Sequence, residues 1–233
     1  MSKGSFLNAS IGRKFLMSIT GLFLVMFIFV HLSINLLLIF DDSGRLYNIG
    51  ANFMATNPLI KIMEPVLALG FLVHIIWALI ITLKNMQARP VKYNKTNQGV
   101  NSAWSSRNML ILGGLVFVFL GIHLYNFWWK IKFAGDPLLE HIGVEQGGAL
   151  VQMENSYLLV SELFKTSNLY CFIYIIGGCL LGLHLSHGFW SAFQTIGLNN
   201  DIWRKRFYFL ANVIGVIFAL GFSIIPIYFM IKF

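Results

Sequence analysis

Five long apolar runs dominate this sequence and restrict its possible folds more than any other feature. Each is more than twenty residues long, which is enough for a helix to cross a hydrocarbon core of ~30 Å. Because the bilayer interior offers no water to backbone amides, each run is expected to be helical. The sequence therefore predicts an all-α, polytopic membrane protein with five transmembrane helices. The predicted spans are residues 15–40, 59–83, 109–129, 169–193 and 207–231.

The composition agrees with this prediction and excludes other classes of protein. Of the 233 residues, 57% are hydrophobic and 11% are charged, whereas an average soluble domain has about 25% charged residues. This balance excludes a soluble globular domain, a disordered chain and a disulfide-rich secreted scaffold. A transmembrane β-barrel is disfavoured because its strands alternate apolar and polar residues. No repeat or linker divides the chain, so residues 1–233 are expected to form a single membrane domain.

The formal net charge of +8 is distributed unevenly between the predicted loops. The segments before the first span, between the second and third, and between the fourth and fifth hold eleven basic residues and one acidic residue. The opposite loops hold six basic and eight acidic residues. Since cytoplasmic loops are enriched in Lys and Arg, the asymmetry predicts a cytoplasmic N-terminus. The basic charge is therefore assigned to topology rather than to nucleic-acid binding.

Five of the six histidines lie inside the predicted spans, and each of the first four spans contains at least one. Ionisable residues within membrane helices are rare and costly, so each is a functional candidate. A single buried histidine is more often a structural hydrogen-bond donor, but five across four helices favour a shared function. These residues are His31, His74, His123, His184 and His187.

The histidines are predicted to occupy two depths. With a rise of 1.5 Å per residue, His31 and His123 lie ~25 and ~24 Å from the inner basic edge. His74 lies ~15 Å from that edge, and His184 and His187 lie ~20 and ~15 Å from the inner end of their helix. Two levels ~10 Å apart would each suit one haem with two axial imidazoles. Zinc or copper would need three or four ligands at one level.

Small residues accompany the histidines on the third and fourth spans. They would let a flat macrocycle approach the helix backbone, although close helix packing explains any one of them equally well. These residues are Gly113, Gly114, Gly121, Gly177, Gly178, Gly182 and Gly188.

Two motifs stand out beside the histidine-bearing spans. The sequence GRKFLMSITG covers residues 12–21, and LHLSHGFWS covers residues 183–191 of the fourth span. With these motifs, five spans and a candidate ligand in each of the first four, the whole chain resembles the di-haem cytochrome b anchor subunit of succinate:quinone oxidoreductases. This is the complex II family of succinate dehydrogenases and fumarate reductases. The resemblance implies a multi-pass protein of the bacterial cytoplasmic membrane.

The resemblance also implies two haem b groups and their ligands. The inner haem, near the cytoplasm, would be held by His74 and His184, and the outer haem by His31 and His123. On the fourth span, depth slightly favours His187, whereas the family motif places the ligand four residues before a glycine and so favours His184. His187 would then contact a propionate or form a hydrogen bond within the bundle.

Three residues near the inner edge are implied contacts of haem propionates. Ser18 lies where the family often has a propionate-binding hydroxyl. Arg13 and Lys14 could neutralise propionates, although positive-inside anchoring explains these two basic residues at least as well.

The family anchor binds a flavoprotein subunit and an iron–sulfur subunit on the cytoplasmic face of the bilayer. Electrons would pass between the iron–sulfur subunit and a quinone, commonly menaquinone among relatives, while the soluble partners carry out the dicarboxylate chemistry. Glu64 could accept a quinol proton, or it could be an N-terminal charge that favours the helix dipole. Some fumarate reductase relatives have a glutamate two residues before the fourth-span ligand, where this chain has Gly182.

Two alternative functions remain open from the sequence. One is a di-haem cytochrome b anchor of another respiratory enzyme, such as a hydrogenase or formate dehydrogenase, which usually has four main spans and a different histidine pattern. The other is a haem-free, proton-coupled transporter. A transporter is expected to have broken helices and acidic residues at mid-membrane, and acidic residues are almost absent from these spans away from their ends.

Overall fold

The computed structural model describes residues 10–87 and 108–233. In this part of the chain, five helices are long and apolar enough to cross a membrane, so the all-α prediction and the five predicted spans are confirmed at that level. The third of them, α4, continues without interruption as a π-helix, Leu124–Ala134. The long helices are α1 (Ser10–Phe40), α3 (Pro58–Gln87), α4 (Met109–His123), α6 (Asn168–Thr195) and α7 (Asp201–Lys232).

Polar side chains fix where two of the long helices begin. Asn200 precedes α7, and its side-chain oxygen accepts the backbone N–H of Trp203 at 2.9 Å. Ser167 caps α6 in the same way, because its hydroxyl accepts the N–H of Tyr170 at 3.4 Å. Such caps satisfy N–H groups that lack a partner within the helix. The π-helix ends at Gly135, whose φ of 57° lies in the left-handed region.

Helix α6 occupies the centre of the bundle and packs against α1, α4 and α7. Its closest neighbour is α7, because small residues face each other along this seam. A Cβ added at Gly182 would lie 2.4 Å from the carbonyl oxygen of Gly215, and one at Gly178 would lie 3.1 Å from the hydroxyl of Ser223. Close helix packing therefore explains these two glycines of the fourth span.

Helix α3 lies at the edge of the bundle, and none of its residues is buried. It packs on α1 and otherwise exposes large apolar side chains, including Leu69, Leu72 and Leu79. An exposed apolar helix face of this length suits a lipid environment. The fold is therefore that expected of a multi-pass membrane protein.

Shorter elements cover one end of the bundle, and two of them are β-strands. A two-stranded antiparallel hairpin pairs His141 with Glu154 and Gln146 with Ala149. Its turn is Gly147-Gly148, with φ of 62° and 84°, which suits a two-residue hairpin. The hairpin forms because a Gly-Gly pair separates two short segments with buried alternate residues. The short elements are α2 (Arg45–Thr56), a 3-10 turn (Pro137–Leu139), β1 (His141–Gln146), β2 (Ala149–Glu154) and α5 (Ser156–Thr166).

A buried asparagine joins the short helices to each other. Asn48 of α2 is 1% exposed and donates to the side chain of Asn155, the cap of α5, at 3.1 Å. Its own side-chain oxygen accepts the N–H of Tyr157 at 2.8 Å. Arg45 links α2 to the hairpin by donating to the carbonyl of Glu145 at 2.7 Å. These bonds fix the short elements as one cap.

The two ends of the bundle differ in charge. The start of α1, the end of α3 and the start of α7 lie at what we name the basic end, and the cap lies at the acidic end. Basic side chains described at the basic end are Arg13, Lys14, Lys84, Arg204, Lys205 and Arg206. The other basic residues used to predict the orientation, Lys3, Arg89, Lys92, Lys95 and Arg107, lie outside the described residues.

Candidate functional site

Four of the five candidate histidines meet as two pairs inside the bundle. His74 of α3 faces His184 of α6, with ring centroids 6.5 Å apart and ring planes at 71°. His31 of α1 faces His123 of α4, with ring centroids 5.6 Å apart and planes at 89°. We name the first the inner pair, because it lies nearer the basic end, and the second the outer pair. Each pair joins two helices that run in the same direction.

Two glycines fix the depth of the inner pair relative to the outer pair. A Cβ at Gly21 of α1 would lie 3.3 Å from the ring of His74, and one at Gly113 of α4 would lie 3.4 Å from the ring of His184. His31 follows Gly21 by ten residues, and His123 follows Gly113 by ten residues. Ten residues of helix correspond to ~15 Å. The two levels are thus farther apart than the ~10 Å expected from the sequence.

His187 lies one turn from His184 but does not join the inner pair. Its ring packs edge-on against Trp190, with centroids 6.0 Å apart. Its Nδ1 atom is buried and has no hydrogen-bond partner among the described residues. Residues three apart on a helix point ~60° away from each other. The rotation of α6 therefore directs His184, rather than His187, towards His74.

The centroid separations of both pairs are close to that expected for two imidazoles bound to one haem iron. Two metal–nitrogen bonds of ~2 Å each, with the rings behind them, place the centroids of opposite ligands about 6 Å apart. The two measured separations lie on either side of this value. Nδ1 of His184 is buried and has no hydrogen-bond partner among the described residues. Groups of three or more His, Cys, Asp or Glu able to hold a metal ion were not found in the described chain.

The glycines of α4 and α6 have different neighbours. Gly113 contacts His184, and Gly177 makes room for the ring of Phe119, which itself lies 6.2 Å from the ring of His123. Gly114 and Gly121 have no atom within 4 Å of an added Cβ in the described structure. Gly113 and Gly177 thus border the histidine pairs or their aromatic neighbours, whereas Gly178 and Gly182 pack on α7. Gly188 contacts only the end of a methionine side chain among the described residues.

Aromatic side chains surround the outer pair. Phe27 stacks on His31 with centroids 5.4 Å apart, and Phe127 lies edge-on to His123 at 5.3 Å. Tyr174 of α6 lies 6.1 Å from His123 and accepts a hydrogen bond from the buried amide of Asn126 at 3.2 Å. The outer pair is therefore flanked by aromatic rings, and its polar neighbours include the Asn126–Tyr174 pair and the amide of Asn35.

The three residues predicted to contact propionates lie near the start of α1. Arg13 and Lys14 line a small cavity of about 30 Å³ together with Lys84 of α3. Ser18 is buried, and its hydroxyl donates to the carbonyl of Lys14 at 3.0 Å. A cavity with three cationic side chains in its lining is complementary to a carboxylate.

The carboxylate of Glu64, on α3, is bound by two side chains of the π-helix. Its carboxylate accepts hydrogen bonds from the indole of Trp128 at 3.2 Å and from the ammonium group of Lys132 at 3.1 Å. It is the seventh residue of α3, and the first turn of that helix contains no acidic residue. The helix-dipole effect falls off within the first turn. The dipole interpretation of Glu64 is therefore wrong, and a bridge between α3 and the π-helix replaces it.

Several residues of the site were not singled out from the sequence. Thr20 contacts His74, Asn35 contacts His31, and Tyr174 lies beside His123. On both α1 and α4, a glycine lies ten residues before the histidine. This repeated spacing was the available sequence signal that a glycine borders each ring of the inner pair. Nothing in the linear sequence indicated the bond between Tyr174 and Asn126.

Comparisons with protein-family models, curated proteins and solved structures found no match for this chain.

Proposed function

We propose that the protein is the cytochrome b membrane anchor of a succinate:quinone oxidoreductase, with one haem b at each histidine pair. The observation that carries this proposal is the meeting of four histidines from four helices as two pairs, with ring centroids 6.5 and 5.6 Å apart. A pair of imidazoles at each of two depths suits two stacked haems and does not provide the three or four ligands that zinc or copper would require.

Each side-chain group of the site has a role in this proposal. His74 and His184 would bind the iron of the inner haem, and His31 and His123 would bind that of the outer haem. Haem iron with two imidazole ligands supplies one-electron redox chemistry, with no open position for a small ligand. The cationic side chains of Arg13 and Lys14, together with Ser18, would hold the inner propionates. The aromatic rings around the outer pair exclude water and keep the dielectric constant low.

The charge difference between the ends supports an orientation in the bacterial cytoplasmic membrane. The positive-inside rule assigns the basic end to the cytoplasm and the acidic cap to the opposite face. The flavoprotein and iron–sulfur subunits would then dock at the basic end, nearer the inner pair. Electrons would cross about 15 Å between the two levels, as estimated from ten residues of helix.

A quinone, with menaquinone as the proposed type, would react near the outer pair. Glu64 is the candidate proton acceptor there, since its carboxylate lies beside the π-helix that directly follows His123. We expect Glu64→Gln to slow turnover with a quinol at least tenfold while both haems remain, because an amide cannot accept the proton. Glu162→Gln, in α5, is the matched control. Equal turnover in the two variants would remove Glu64 from the quinone reaction.

Haem counting in single variants tests the main proposal. The purified protein should show a reduced-minus-oxidised spectrum with a b-type α-band and two haems per chain. His74→Ala and His184→Ala should lose one and the same haem, while His31→Ala and His123→Ala should lose the other. His141→Ala is the control, because this histidine lies in the exposed hairpin and should leave both haems in place.

The outcomes of this experiment separate the alternatives. A flat difference spectrum would overturn the proposal and favour a haem-free transporter. Loss of a haem in His187→Ala, with both retained in His184→Ala, would overturn the assignment of the inner ligand. If two haems are present, co-purification with a covalent-flavin protein supports the succinate:quinone oxidoreductase. Its absence, with a hydrogenase or formate dehydrogenase subunit in its place, would assign the anchor to another respiratory enzyme.

A further inference from the structure

One hydroxyl group reaches the inner pair from a neighbouring helix. The Oγ1 atom of Thr20, on α1, lies 3.3 Å from Nδ1 of His74 on α3. The same oxygen lies 2.9 Å from the carbonyl of Leu16 and 3.1 Å from that of Met17. The hydroxyl therefore connects the backbone of one helix to the imidazole of another.

The distances indicate which group donates in each bond. A threonine hydroxyl has one proton, and a carbonyl oxygen can only accept. The contact of Thr20 with Leu16 is the shorter one, so the proton is directed to the backbone of α1. The lone pairs of Oγ1 then accept the Nδ1–H of His74. That arrangement requires the His74 tautomer that carries its proton on Nδ1 and has a free lone pair on Nε2.

The surroundings of Thr20 protect this bond from competition. A groove of about 330 Å³ along the seam between α1 and α3 includes Thr20 in its lining, and its other lining residues, among them Phe23 and Val73, are apolar. In a lipid environment such a groove offers no alternative hydrogen-bond partner. Among the described residues, the hydroxyl therefore bonds to the backbone of α1 and to His74.

His184, the other member of the inner pair, differs from His74 in its hydrogen bonding. Nδ1 of His184 is buried without a hydrogen-bond partner among the described residues, and Gly113 faces that part of the ring. A Cβ at Gly113 would lie 3.7 Å from Nδ1, which is ordinary contact distance. In the inner pair, the Nδ1 atom of His74 thus has a hydrogen-bond partner, whereas that of His184 has none among the described residues.

We propose that Thr20 is a positioning residue that fixes the tautomer of His74 and tunes the inner haem. This inference rests on the proposed function. An acceptor at the distal ring nitrogen orients a ligand imidazole and raises its basicity. A more basic ligand stabilises ferric over ferrous iron, so the bond from His74 to Thr20 should lower the midpoint potential of the inner haem.

Redox titration of the purified holoprotein tests this role. Thr20→Val keeps the shape of the side chain and removes the acceptor, so the inner haem should become easier to reduce. We expect the ferrous-to-ferric ratio at fixed potential to rise about tenfold, a shift of about 59 mV for a one-electron couple. Thr20→Ser should restore the original potential. Thr195→Val is the matched control, because that hydroxyl also donates to its own helix, to Ser191 at 3.0 Å, but contacts no histidine pair.

A second variant tests the same idea from the opposite direction. Gly113→Ser would give Nδ1 of His184 the acceptor that it lacks, so the potential of the inner haem should fall. Gly113→Ala adds the Cβ alone and controls for steric effects. Equal shifts in the Ser and Ala variants would contradict a hydrogen-bond effect.

The outcomes distinguish this inference from the proposed function. If Thr20→Val loses the inner haem while Thr20→Ser keeps it, the hydroxyl is still the positioning group and the inference holds. If Val and Ser variants both keep the wild-type potential, or both lose the haem, Thr20 does not position His74. Neither result affects the proposed function, which is tested separately by the haem content of the histidine variants and by the subunits that co-purify.

Discussion

Replacing Gly182 with alanine should separate the two most tightly packed helices of the bundle. The added Cβ would lie 2.4 Å from the carbonyl oxygen of Gly215 and 2.8 Å from the Cβ of Ala219, both on α7. Carbon and oxygen atoms at helix contacts normally lie about 3.3–3.6 Å apart, so the helices must move apart by roughly 1 Å. The obstacle is backbone, which cannot rotate away as a flexible side chain can.

The expected change in unfolding free energy follows from two opposing effects. Overpacking costs about 1–3 kcal/mol, and a backbone obstacle places this substitution at the upper end. The higher helix propensity of alanine offsets up to about 1 kcal/mol of this loss in unfolding free energy. We therefore expect Gly182→Ala to destabilise the protein by about 2 kcal/mol.

Reversible unfolding in mixed micelles, followed by circular dichroism, measures this effect. Gly114→Ala is the matched control, because no described atom lies within 4 Å of the added Cβ. The control should be neutral or up to about 1 kcal/mol more stable. If Gly182→Ala were as stable as the control, the close approach of α6 and α7 would be refuted. The same seam leaves no room at position 182 for a larger side chain such as glutamate.

Three further substitutions test the cap at the acidic end by thermal unfolding. Gly44→Ala should destabilise the protein by more than the ~1–2 kcal/mol that a left-handed backbone conformation costs a residue with a Cβ. The φ of Gly44 is +72°, and the added Cβ would also lie 2.3 Å from Cγ of Tyr157. An unchanged melting temperature would contradict this prediction. Asn48→Ala should cost about 1–3 kcal/mol by leaving buried partners unpaired, and a smaller loss than in an exposed Asn→Ala control would disprove it. The backbone N–H of Leu138 donates to Asp136 and lowers the pKa of its carboxyl below the usual 3.8. The ionised carboxylate therefore contributes stability above pH 3.8, and this contribution is lost as the pH falls through the lower pKa of the folded state. Asp136→Asn should remove that part of the acid dependence, and an unaltered pH profile would count against the bond.

The long helices were predictable because hydrophobic length is a local property of the chain. All five predicted spans lie within the observed helices; the third, residues 109–129, covers α4 and the first part of the π-helix, and the observed helix ends five residues later, at Ala134. The hairpin of the cap was missed although its Gly147-Gly148 turn is a recognisable pattern. Short, partly exposed strands carry too few apolar residues to stand out beside spans of more than twenty.

The pairing of histidines was only partly determined by the sequence. Helical rise placed His31 with His123 at one depth, and it left His184 and His187 as competing partners for His74. Depth along a helix follows from residue number, but the direction of a side chain depends on how the helix is rotated about its axis. That rotation is set by packing, here by the glycine contacts of α6 with α7.

The sequence by itself determined that this chain forms a bundle of long apolar helices with imidazoles at two depths, since length, hydrophobicity and helical rise are written in residue order. Only the tertiary structure decided that His184 rather than His187 faces His74, that Glu64 bonds to the π-helix and that Thr20 reaches His74. Each of these contacts joins residues on different helices. Their meeting depends on side-chain volumes along the whole seam, which no local pattern records.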